Sequence, residues 1–171
     1  MAFSLQACSP VFNWREVRPD NTRFSLLLPC KPDTAQKTVP LGGRPTALAM
    51  LGCDAGGATF AVAVADIGDA TAAGPVLAQW QALTLANMKA PPPGAPGLAG
   101  ATQVQALKLT GAGIQPPAVL VKAQGQRADG TAVSGQAAYF AQGSQLFQVV
   151  VYAGKLAPDV ADTFFSSLKF E

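Results

Sequence analysis

Two arrangements in this sequence could do chemistry, and both must work without histidine, of which there is none. Ser166-Ser167-Leu168-Lys169 fits S-x-x-K, a spacing at which a lysine can act as base for a serine nucleophile. The four residues close an amphipathic run, where a lysine near a helix C-terminus is the ordinary dipole arrangement. Asp66-Ile-Gly-Asp69, with Asp54 before it, is the closest approach to a carboxylate pair. Calcium needs six to eight oxygens, and glycoside hydrolysis needs one perturbed acid in a cleft. This stretch instead leaves a strand for a glycine-containing loop, where aspartate is a turn former. Glu16 is expected to pair with a nearby arginine on an exposed strand. Without histidine, every Ser-His-Asp, Cys-His and His-metal site is excluded. A hydrolase using Ser/Lys or carboxylates is therefore a remote alternative, and the chain reads as non-catalytic, with no cofactor and no metal.

The three cysteines carry a different chemistry. Cys8 ends Leu5-Gln6-Ala7-Cys8, which has the form of a bacterial lipobox: a small residue before a thiol that takes the diacylglycerol. Met1-Ala2-Phe3-Ser4 supplies neither a charged segment nor an apolar run of signal-peptide length, so either the native start lies upstream, the sequence is trimmed, or the tetrapeptide match is accidental. Membrane association is expected only through acylated Cys8, with residues 1–10 as a tether and 11–171 as one domain. Cys30 and Cys53 each follow a strand-like run, so neighbouring strand ends could bring them to bridging distance. Two buried free thiols are the alternative. An acylated Cys8 would leave an even pair, and that favours an oxidising envelope compartment: the periplasm, or a lipoprotein anchor in a Gram-negative membrane.

Composition narrows the partners. Charged residues make up 13% of the 171 and hydrophobic residues 49%, against roughly 25% charged in typical domains. Twelve Lys+Arg scattered among ten Asp+Glu give no basic stripe for nucleic acid. Gly111-Ala-Gly113 and the Gly94–Gly100 stretch lack the elements of a phosphate loop. Trp80 falls on a buried helical face, whereas Trp14 is a candidate surface or ligand contact.

These residues must be positioned by a set of strands and two helices. Alternation predicts strands at 12–17, 23–28, 39–41, 46–51, 59–65, 102–109, 118–126, 131–141 and 145–153, with turns at Pro19-Asp20-Asn21, Gly42-Gly43 and Asp129-Gly130. In 59–65, Phe60, Val62 and Val64 alternate with alanines, so both faces are apolar and the sheet is covered on both sides. A 3.6-residue period predicts helices at 75–89, opened by Pro75, and at 158–168. Pro91-Pro92-Pro93-Gly94 marks an exposed loop at 90–100. The uncharged run from Gly130 to Gly154 is long enough to span a membrane, but Gln142-Gly143-Ser144-Gln145 makes it a hairpin.

Order and spacing together resemble a family. Trp14-Arg-Glu-Val precedes a strand ending Leu-Leu-Pro29 and a Gly-Gly hairpin. Tyr139-Phe-Ala-Gln-Gly-Ser-Gln-Leu-Phe147 and a Pro158…Phe164-Phe-Ser-Ser-Leu-Lys-Phe170 ending follow. Over residues 12–170 this resembles bacterial envelope proteins of the PsbP-like fold, nearest a group of uncharacterised proteobacterial predicted lipoproteins. The resemblance implies an α+β fold, an antiparallel sheet with helices packed on both faces as an α/β/α sandwich. It also implies an assembly or adaptor role without catalysis. The expected function is thus a binding module for an envelope protein, with a carrier of lipid or a small hydrophobic ligand as the alternative. The carrier would need an apolar cavity beneath Val76–Met88.

Overall fold

The computed structural model describes residues 10–96, 100–111 and 113–171. Thirteen elements follow one another: β1 (Arg15–Val17), β2 (Phe24–Leu28), β3 (Asp33–Leu41), β4 (Arg44–Ala55), β5 (Ala58–Asp66), a 3-10 turn (Ala70–Ala72), α1 (Ala73–Asn87), β6 (Gln103–Ala106), β7 (Val119–Gln126), β8 (Ala132–Gln142), β9 (Gln145–Ala153), α2 (Pro158–Ser166) and β10 (Lys169–Phe170). Seven strands form one antiparallel sheet in the order β3-β4-β5-β9-β8-β7-β6, and three form another, β1-β2-β10.

The expected α/β/α sandwich does not form. Among the described residues strand far outweighs helix, and the two α-helices are short. Residues 15–17, 24–28 and 169–170 pair with one another instead of extending the large sheet. The second face is therefore covered by a small sheet with α2 beside it, not by a helical layer. That follows from sequence: 33–66 and 103–153 contain no helical period from which further helices could come.

The alternation in β5 shows how the two faces divide. Phe60, Val62 and Val64 point into one core, with Phe24, Leu26 and Leu28 of β2 and Phe164 of α2. Ala61, Ala63 and Ala65 point the other way, into a core shared with Val76, Leu77, Trp80 and Leu85 of α1. Small alanines let the helix lie close. The first core is rich in phenylalanine: Phe24 meets Phe140 and Phe147 at centroid distances of 5.1 Å and Phe170 at 5.3 Å, inside the range where ring pairs add to burial.

Several boundaries differ from those the sequence predicts. α1 begins at Ala73, so Pro75 is its third residue, still in the first turn, where the missing N–H costs nothing. β3 runs from Asp33 and β4 to Ala55, both longer than expected. The second helix stops at Ser166, and Lys169–Phe170 is strand. Its stop is chemical: Ser167 Oγ accepts from the Leu27 N–H at 2.9 Å and donates to the Phe164 carbonyl at 2.6 Å. Two hairpins turn on Gly42-Gly43 and Gly56-Gly57, all at positive φ, the conformation of a two-residue type I′ loop. Gln142–Gln145 joins β8 to β9 as a hairpin, and among the described residues no helix is long and apolar enough to cross a membrane.

Candidate functional site

An open groove of about 490 Å³ lies between the β1–β2 turn and the β3–β4 ribbon. Pro19 and Asp20 form one wall; Thr34, Gln36, Ala49 and Leu51 line the other. The groove exists because β3 and β4 run on past the small sheet. β3 is exposed on both faces from Asp33 to Thr38. The turn wall is fixed in place: Asn21 takes a left-handed φ of 60°, its carbonyl accepts from Gln145 Nε2 at 2.9 Å, and Thr22 Oγ1 donates to the Pro19 carbonyl at 2.8 Å. One carboxylate, one hydroxyl, one amide and an apolar floor suit recognition by hydrogen bonds and modest apolar contact. They include no nucleophile with a base.

Cys30 and Cys53 are joined, with Cα atoms 5.9 Å apart. The bond sits where β3 and β4 leave the core, and it closes the loop that contains the exposed ribbon. Cys8 lies outside the described residues. Trp14 is half-buried. It stacks on Phe12 at 5.9 Å and meets the edge of Phe60 at 6.1 Å, so much of its ring packs onto the core, and other residues line the groove.

Ser166 and Lys169 do line one small cavity, of about 260 Å³, with Glu16, Ser25 and Ser167. Their bonds point elsewhere. Ser166 Oγ is held by the Thr163 carbonyl at 3.4 Å, and Lys169 Nζ faces Glu16 at 3.7 Å. Glu16 therefore pairs with a lysine and not with the expected arginine; Arg18 is taken by Glu171 at 2.6 Å. That contact holds the Glu171 carboxyl below its ordinary value. Ser25 is the residue the sequence did not single out. It is fully buried opposite Lys169, and its hydroxyl has no hydrogen-bond partner. A serine between Phe24 and Leu26 on an otherwise apolar strand was the available signal.

Asp54 lies at the opposite end of β5 from Asp66 and Asp69. Asp54 accepts from Thr59 at 2.6 Å beside the β4–β5 turn. Asp66, at the other end of β5, accepts from Gly68 N–H and from Ser144 Oγ at 2.8 Å. Asp69 caps the 3-10 turn through Thr71, and those bonds hold its carboxyl below the ordinary value. A general acid needs the opposite shift. Among the described residues no group of three or more His, Cys, Asp or Glu is placed to hold a metal.

Beneath α1, where a carrier would keep its cavity, Val76, Leu77, Trp80, Leu85 and Met88 are all buried. The buried amide there is satisfied internally: Gln148 Nε2 donates to Thr84 Oγ1 and to Tyr139 Oη, each at 2.8 Å. Burial pushes the Tyr139 phenol up, and it pushes Tyr152 up to about 12.

No protein-family model matches the chain, and no curated protein matches it. Among solved structures, PA94 from Pseudomonas aeruginosa, a protein of unknown function, aligns over 82% of this chain and 83% of its own at 16% identity, with a TM-score of 0.34.

Proposed function

We propose that this chain is a non-catalytic binding module of a Gram-negative cell envelope, tethered through an acylated Cys8. The observation that carries the reading is the Cys30–Cys53 bond. A chain of this length buries about 70% of its unfolded surface and needs no covalent staple to fold. Disulfides persist in oxidising compartments and are rare in the cytosol, so such a bond in a domain with two well-filled cores favours the envelope. The binding half of the reading is supported by the groove between Asp20 and the β3–β4 ribbon, which offers hydrogen-bonding groups over an apolar floor.

Expression of the full native gene in a Gram-negative host tests both halves of the location. Mass spectrometry of the membrane fraction is expected to find Cys8 as a diacylated N-terminus and Cys30 joined to Cys53. Recovery in the cytoplasm, with unmodified Cys8 and both other cysteines reduced, would overturn the proposal.

A further inference from the structure

One outer edge of the large sheet is β3, and among the described residues no strand pairs with its far side. The register tells which backbone groups that edge presents. Leu41 and Arg44 flank a two-residue loop, so they form a hydrogen-bonded pair. The next pair is Pro40 with Pro45, and neither has an N–H to exchange. Hydrogen-bonded and open pairs alternate along an antiparallel ladder. The N–H and C=O groups of Thr34, Gln36 and Thr38 therefore point away from β4, into solvent.

Side chains alternate as well. Asp33, Ala35 and Lys37 share the face that carries α1, as their partners Gly52, Met50 and Leu48 place them. An acid and a base two residues either side of Ala35 make this strand complementary to itself when it is reversed.

We propose that a second copy of this chain occupies the edge, with β3 pairing antiparallel to β3 about a two-fold axis at Ala35. In that register Thr34 exchanges hydrogen bonds with Gln36 of the second copy, since both are outward-facing residues. Asp33 lies directly opposite Lys37 of the second copy, and Lys37 opposite its Asp33. Opposite charges across a strand pair attract, and like charges repel. A lysine on an edge ordinarily blunts it against other chains. Here that lysine is answered only by a strand with an acid four residues earlier, so the same residue selects the partner. Pro32 and Pro40 bound the paired segment, and the Cys30–Cys53 bond holds its base against β4. The other edge, β6, has four residues and no charge, and offers no such selection. The inference goes beyond the compartment reading and does not rest on it.

Sedimentation equilibrium of the full chain tests it, with Cys8→Ser in every sample so that no intermolecular disulfide contributes. The wild-type strand is expected to give a reversible dimer. Lys37→Glu and Asp33→Lys each place like charges opposite one another, and each should weaken the dimer by about tenfold or more. Mixing the two variants restores opposite charges at both positions and should restore a dimer between them. Gln36→Pro removes an outward N–H that the chain itself does not use; it should abolish dimers while leaving the circular dichroism spectrum unchanged. A wild-type monomer, or a dimer indifferent to all three substitutions, would overturn the proposal and leave the edge to a foreign strand.

Discussion

Removal of the Cys30–Cys53 bond is the perturbation whose size the structure fixes best. The bond joins residues 23 apart in sequence, closing a loop of about 24 residues that contributes about 3.5 kcal/mol in the chain-entropy account. For a chain of this length each kcal/mol corresponds to about 2–4 °C in melting temperature, so the expected loss is about 7–14 °C. Both cysteines are partly exposed, so serine replaces them with little packing penalty. The assay is thermal unfolding by circular dichroism of Cys30→Ser/Cys53→Ser against its parent, both carrying Cys8→Ser. Thiol titration of the unfolded, unreduced parent should find none free. Because the closed loop is the β3–β4 ribbon, hydrogen exchange in the double variant should accelerate most along β3. A melting temperature within about 2 °C of the parent, or free thiols in the parent, would refute the reasoning.

Gly125 lies under the end of α1, where a Cβ would collide with the Met88 carbonyl oxygen that Gln126 N–H bonds at 2.7 Å; Gly125→Ala should cost about 1–3 kcal/mol in denaturant unfolding. Tyr152 is pushed up to about 12 by burial, from 10.0. A raised acid means that the unfolded chain loses its proton first, so stability is complete below pH 10 and falls as pH rises toward 12, by about 2–3 kcal/mol. Alkaline unfolding curves of Tyr152→Phe should lose that slope, and an unchanged slope would count against it. Ser167→Ala strips the Leu27 N–H of its acceptor and should cost about 1–3 kcal/mol, read as a shift in the denaturant midpoint.

Strands with one or two buried faces were legible in the sequence because burial writes a period. β5 and β9 show it: each alternates side chains between two cores. β3 was nearly invisible for the same reason, since a strand exposed on both faces has no alternation to read. Its extended state comes from pairing with β4 and from the disulfide beneath it. The end of α2 misled differently. The helical period continues through Leu168, and only the tertiary bond from Ser167 to β2 shows where it breaks. The helix layers implied by family resemblance failed because β1, β2 and β10, each too short to declare a partner, pair with one another. Gly56-Gly57 was a turn signal in plain view inside an apolar stretch. For the site, Cys30 and Cys53 were readable as strand-end residues. The groove was not, because it arises from the overhang of β3–β4 beyond a second sheet that no local pattern announces.

The strand order has a consequence for how the chain reaches this fold. Within the large sheet every neighbouring pair is a local hairpin except one: β5 with β9, which brings Ala58 against Ala153 and Asp66 against Gln145. The sheet is thus two meanders zipped along one line, and among the described residues that line is its only distant closure, the kind of contact that slows folding. The disulfide lies wholly inside the first meander. It shortens none of the chain between β5 and β9. Oxidised or reduced, the two halves face the same search for each other.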